Sequence, residues 1–195
     1  AWTNDFSAQR NFALEQTDAD WVLYLDADER LNENVIAEVK RIVASGVMDA
    51  QYAFTRKSGA FGKIFSYGVL YPDQVCRLFP RKAVVWVNKV HEHPECKLPE
   101  KHLSGYVTHY TYKDWYEWEG KLCLYTTIWA EDAYKKGKRT TMAGIFQHSV
   151  GAFFKMFVLR RGFLDGGLGI YLCFAHGFYT MLKYLKLYDL QNKRK

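Results

Sequence analysis

Two aspartates flanking a single alanine, Asp26 and Asp28, with Glu29 directly after them, form the part of this sequence best suited to chemistry. They follow the apolar run Trp21-Val22-Leu23-Tyr24-Leu25, and open α/β sheets place their ligands at the carboxyl ends of the strands. Two hard oxygen ligands on one short turn suit Mg2+ or Mn2+, ions that complete their shells with water and substrate phosphates. The same residues would equally serve as a solvated acidic turn ahead of a helix, because a helix N-terminus favours Asp and Glu.

Two rival acidic motifs are excluded. An EF-hand loop beginning at Asp26 needs Gly at its sixth position and an acidic ligand at its last, where this chain has Leu31 and Ala37. A phosphatase of the haloacid dehalogenase type follows its paired aspartates with Thr or Val, where this chain has Arg30. Other polar residues have two readings each. His109, in Val107-Thr108-His109-Tyr110, is a reasonable Mn2+ ligand when neutral or else a structural hydrogen-bonder on a strand, with His102 as the fallback. His91 and His93 flank Glu92 and either orient it or belong to a plain turn before Pro94. Arg77 can hold a diphosphate through its planar fork or make a surface ion pair.

The elements that must position these groups follow from periodicity. Phe6 to Gln16 reads as a short helix, and Trp21 to Leu25 as a strand covered on both faces. Asn32 suits the N-cap of a helix from Glu33 to Ala44, in which Val35, Ile36, Val39, Ile42 and Val43 recur at helical spacing before Gly46 stops it. Strand, acidic turn and helix thus make one α/β unit. From Gln51 to Tyr112 the apolar pieces are short and broken by Gly and Pro, predicting strands at Tyr52 to Thr55, Gln74 to Phe79, Val84 to Val87 and Tyr106 to Tyr110. Beyond Asp114 helices are expected over Trp115 to Lys136, Met142 to Arg160 and Gly167 to Leu187.

Disorder is excluded by a hydrophobic content of 49% with only 4 prolines. The net charge of +6 implies an anionic partner without choosing one. The 4 cysteines have no metal-site spacing and are expected to be reduced and structural. No secretory leader is recognised at Ala1-Trp2-Thr3, so a cytoplasmic location is expected. Leu168 to Leu182, read as the longest weakly polar stretch, is too short to cross a bilayer. Phe153, Phe154, Phe157 and Phe174 alternate with Lys155, Arg160, Arg161 and Lys183, which suits amphipathic helices on an anionic membrane surface or packed against another face of the protein, oligomer contacts included. No nucleic-acid-binding module is recognised.

Several ordered motifs resemble one family. Gln9-Arg10-Asn11-Phe12-Ala13-Leu14 followed by Asp20-Trp21-Val22-Leu23-Tyr24-Leu25-Asp26-Ala27-Asp28-Glu29 is similar to the pattern of the family 2 glycosyltransferases. Gly62-Lys63, Tyr67-Gly68, Tyr71-Pro72-Asp73, Arg77-Leu78-Phe79, Val90-His91-Glu92 and Arg161-Gly162-Phe163-Leu164-Asp165-Gly166 resemble, in order, the subgroup with the lipopolysaccharide-core β-1,4-glucosyltransferases. Val69-Leu70 departs from the Gly-Trp often found there, and Asn88 from a common Gly, which bears on acceptor choice.

The resemblance implies an α/β GT-A fold, Rossmann-like and built to hold a nucleotide-diphospho-sugar, with residues 1–113 the later part of a catalytic domain and 114–195 a helical, membrane-associating extension. It also implies an N-terminal portion with the first strands, without which the chain is expected to be inactive. The activity implied is inverting transfer of a sugar, as from UDP-hexose, to a glycolipid or polysaccharide precursor in envelope biosynthesis at the cytoplasmic membrane face. Asp28 would hold Mn2+ or Mg2+, with Asp26 toward the ribose or metal shell and His109 completing the site. Arg10, Asn11 and Arg77 would contact the donor. Glu92 would be the general base, with His91, His93, Tyr71 and Asp73 at the acceptor. The rival is a non-catalytic membrane-surface or carbohydrate-binding protein that retains the fold.

Overall fold

A computed structural model describes residues 5–88 and 92–193. In chain order the elements are α1 (Phe6–Glu15), β1 (Trp21–Leu23), β2 (Glu29–Leu31), α2 (Glu33–Ser45), β3 (Gln51–Ala60), β4 (Lys63–Ile64), β5 (Asp73–Pro80), β6 (Val84–Val87), β7 (His93–Cys96), β8 (Glu100–Tyr112), α3 (Trp115–Lys135), α4 (Met142–Phe154) and α5 (Gly166–Lys193). They form two compact units, Ala1–Arg56 with Asp73–His109, and Lys57–Pro72 with Tyr110–Lys195.

In the first unit, capping fixes the helices. The Asp5 carboxylate accepts from the Ala8 amide at 2.9 Å and starts α1. Asn32 accepts from the Val35 amide at 3.0 Å and starts α2, and Gly46 ends it in the left-handed conformation. Val35 has no exposed surface and joins Trp21, Phe54, Leu78 and Val107 in the core, with Val39 and Ile42 against it. The principal sheet has the order β1-β5-β3-β8-β2, and β1/β5, β3/β5 and β2/β8 are antiparallel. β6 and β7 form a separate antiparallel pair.

Two expectations are corrected here. The run from Trp21 to Leu25 is not a strand covered on both faces. β1 is three residues long, lies at the end of the sheet order and buries only Trp21, while Leu25 is 44% exposed. The acidic turn does not lead straight into the helix either, because β2 intervenes and pairs with β8. The other expected strands and helices are present, with β3 and β8 extending beyond their apolar centres and the helix expected over Met142 to Arg160 α-helical only to Phe154, while β4 and β7, short and polar, were not expected. This mixed α/β architecture is compatible with a Rossmann-like glycosyltransferase fold.

In the second unit α5 packs against both α3 and α4. One core gathers Ala130, Ile145, Tyr184 and Leu187, and another Ala60, Phe65, Leu70 and Leu172. Asp165 is buried, and its carboxylate accepts from the Ser66 and Tyr67 amides at 3.1 and 2.8 Å, tying the start of α5 to the segment after β4. Among the described residues one stretch is long and apolar enough to cross a membrane, by length and composition alone: Met142–Leu159, with mean hydropathy 1.3 over 18 residues. That replaces Leu168 to Leu182, where His176 and glycines dilute the apolar residues.

Candidate functional site

Beyond β1 the chain turns sharply: the Tyr24 amide donates to the Arg77 carbonyl at 2.9 Å, and the Glu29 amide to the Asp26 carbonyl at 2.9 Å. Arg77, on the neighbouring strand β5, reaches Asp26 Oδ2 at 2.7 Å and Glu29 Oε1 at 2.9 Å. Arg10, from α1, donates to Asp26 Oδ1 at 3.0 Å. Burial pushes the Asp26 carboxyl up, but Arg77 and Arg10 together outweigh it and hold its pKa below the ordinary carboxylate value. Asp26 is therefore a charged carboxylate with an arginine on each oxygen.

Glu29 is fully buried, and Arg56 Nη1 approaches its Oε1 at 3.6 Å while its Oε2 accepts from the Asp26 amide at 3.1 Å. Arg56 in turn grips Asp73 through two hydrogen bonds of 3.0 and 2.7 Å. Glu29 belongs to the acidic motif read from the sequence but was given no role there, and Arg56 was not among the expected site residues. The available signal was that Arg56 and Arg77 sit in apolar strand patterns, where a buried arginine requires a carboxylate partner.

Arg10 lies over the Trp86 ring, 4.4 Å from its centroid, and 3.9 Å from Glu92 Oε1. Arg10, Asp26, Arg56, Arg77, Trp86 and Glu92 line an open cleft of about 420 Å3, a size suited to a small polar ligand. The Nε of Arg77 is buried without a hydrogen-bond partner. Cys76 also borders this cleft. Burial, Glu100 and Cys96 push its thiol up to about 12, so it stays protonated and unreactive at neutral pH.

The antiparallel register pairs Glu29 with His109 and so sets the imidazole beside the acidic turn. Nε2 of His109 lies 3.1 Å from Asp28 Oδ2. A carboxylate oxygen next to an imidazole nitrogen is a donor set that suits Mn2+ better than the all-oxygen-preferring Mg2+, with the remaining positions open to water and phosphate oxygens. Among the described residues no three His, Cys, Asp or Glu side chains converge as a metal cage. The fit is that of a two-ligand site, with Asp26 held by its arginines.

The other candidates are dispersed. Asn11 accepts from the Trp86 amide and donates to the Trp86 carbonyl, both at 2.8 Å, and so clamps α1 to β6. His93 Nδ1 lies 3.4 Å from Asn88 Nδ2. Asp73 is held by Arg56, and Tyr71 belongs to the second unit, where the Arg160 guanidinium sits 4.5 Å from its ring centroid. His102 is near Gln74 and Glu100. His91 lies outside the described residues.

No protein-family model matches the chain. It is 25% identical over 204 residues to an uncharacterized glycosyltransferase of Rickettsia prowazekii, covering 96% of this chain and 68% of that protein. It is 24% identical over 208 residues to one of Rickettsia typhi, covering 96% and 68%, and 26% identical over 202 residues to one of Rickettsia bellii, covering 95% and 67%. These likenesses support a glycosyltransferase. They cover nearly all of the chain.

Proposed function

We propose that the chain is the glycosyl-transferring part of a GT-A, family 2 enzyme of the type that acts on lipopolysaccharide core. It moves a sugar with inversion from a nucleotide-sugar, a UDP-hexose by preference, to a glycolipid or polysaccharide-precursor acceptor. The observation that carries this reading is one turn after β1 that joins the Asp28–His109 pair to Asp26, whose two arginines reach into the same cleft as Glu92. The glycosyltransferase names of the relatives agree with it.

A divalent cation, when bound, would neutralise charge developing on the nucleoside diphosphate leaving group, and Asp28 with His109 would hold it. Arg10 and Arg77 keep Asp26 ionised and in place, and their guanidinium groups on the cleft wall would face the donor's diphosphate. Glu92, on the cleft wall, takes the proton of the attacking acceptor hydroxyl. Arg10 near Glu92 keeps that carboxylate aimed into the cleft. The basic, aromatic composition of the second unit supports a seat at the cytoplasmic face of a membrane, where a lipid-linked acceptor would be met.

Titration calorimetry of UDP on the full-length protein, with and without Mn2+, tests this. Manganese-dependent binding is expected, and Asp28→Ala should abolish the dependence. Glu92→Gln should bind donor as before and lose transfer by roughly 100-fold or more, the scale of general-base catalysis. Failure of UDP and of every other nucleoside diphosphate to bind would overturn the proposal in favour of a non-catalytic carbohydrate-binding protein. Full transfer by Glu92→Gln would remove the base assignment alone.

A further inference from the structure

The connection between α4 and α5 has features that sugar transfer does not use. α4 runs into a π-helical turn (Lys155–Leu159), Arg161 adopts a left-handed φ of 53°, and a 3-10 turn (Gly162–Asp165) leads into α5. The apolar side chains at this tip face solvent: Val158 is 51% exposed, Leu159 76%, Phe163 43% and Leu164 52%. Exposed apolar residues continue from it on both helices, Phe146 and Phe154 along α4, and Ile170, Phe174 and Phe178 at every fourth position of α5. Phe153 and Phe174, with ring centroids 4.6 Å apart, join the two helices there. A helix of a water-soluble domain turns its apolar stripe inward, and a contiguous exposed patch of this kind marks an interaction surface.

Charge identifies the partner. Between Asp132 and Asp189 the sequence has a single acidic residue, Asp165, and its carboxylate is buried against the Ser66 and Tyr67 amides. Lys155, Arg160 and Arg161 stand exposed around the apolar tip. A second copy of the chain on this face would bring like charges together. An anionic bilayer supplies the opposite charge at the headgroups and an apolar phase beneath them. Gln147, His148 and Ser149 place polar groups within the apolar run of α4, and the 18-residue stretch lies at the short end of the ~17–25 residues of a spanning helix.

We propose that the α4–α5 tip is an interfacial anchor for anionic bilayers. Leu159, Phe163 and Leu164 enter below the headgroups while Lys155, Arg160 and Arg161 meet the lipid phosphates. The inference deepens the membrane placement proposed above by naming its surface, and it stands or falls separately from the donor site.

Flotation of the 195-residue chain with vesicles tests it. The chain should float with vesicles containing phosphatidylglycerol, much less with pure phosphatidylcholine, and alkaline carbonate should release it. The double variant Leu159→Asp/Leu164→Asp should lose at least ~10-fold in partitioning, from two leucines no longer buried, with circular dichroism and thermal midpoint unchanged because both side chains are exposed. Lys155→Gln/Arg161→Gln should lose most of the preference for anionic lipid. Wild-type partitioning by the leucine double variant would overturn the proposal. So would retention after carbonate, which means a spanning helix, or a dimer that the leucine variant dissolves without any vesicle binding. Full-length protein that binds UDP with Mn2+ but ignores vesicles would sink the anchor alone. Vesicle binding without nucleotide binding would sink the donor site alone.

Discussion

Arg77 is the side chain on which the first unit's polar interior depends. It is 7% exposed and bridges Asp26 and the fully buried Glu29. Removing one member of a buried pair leaves the other charge desolvated, at a cost of about 3–5 kcal/mol. Arg56, 3.6 Å from Glu29, retains part of the compensation, so Arg77→Met should destabilise by about 3 kcal/mol in urea unfolding, at the low end of that range. A loss under ~1 kcal/mol, the scale of an exposed pair, would show that Glu29 does not depend on Arg77 for its compensation. On the proposed reading, the arrangement favours Asp28 over Asp26 as the cation ligand. Asp26 already has a guanidinium on each oxygen, whereas Asp28 is 53% exposed beside a single imidazole.

At the scale of elements, the site depends on how β8 lies against β2 and α2. The β2–β8 register puts His109 opposite Glu29, and a slip by one residue would turn the imidazole to the other face. Gly105 secures that approach. It is buried in β8, and a Cβ there would collide with the Val35 side chain and lie 2.8 Å from Asn32 Oδ1 and 2.9 Å from the Val35 nitrogen, in the first turn of α2. Gly105→Ala should therefore cost about 1–3 kcal/mol through overpacking, measured as a lowered thermal midpoint, and should weaken metal-dependent nucleotide binding with it. An unchanged midpoint would mean that the N-terminus of α2 yields freely. β2, which sets the register, was not legible in the sequence, since Glu29-Arg30-Leu31 is too short and too charged to show an apolar alternation.

For the whole molecule, charge distribution carries more information than net charge. The formal excess of +6 becomes meaningful because Ala133 to Tyr188 contains one acidic residue, and that one is buried. Attraction to anionic lipid should weaken as salt shortens the Debye length from ~10 Å at 0.1 M to ~3 Å at 1 M. The apolar contribution from Leu159, Phe163 and Leu164 does not depend on screening. Vesicle flotation at the two ionic strengths should thus fall but not vanish, while complete release by salt would mean that the cations act without insertion.

The sequence by itself determined the elements whose signals are local. The Asn32 cap and Gly46 stop of α2, the strand at Val84–Val87, the long helices after Asp114 and the acidic turn after β1 all follow from residues within a few positions of one another. It also supplied the ordered motifs behind the glycosyltransferase resemblance. Tertiary structure alone decided what lies far apart in the chain. It joined Arg10, Asp26, Arg77 and Glu92 in one cleft, paired Asp28 with His109 across 81 residues, buried Glu29 between arginines and turned Asn11 into a clamp on Trp86. The physical reason is that capping and periodicity are properties of a short segment, whereas the partner of a buried charge is fixed by strand register and packing between segments.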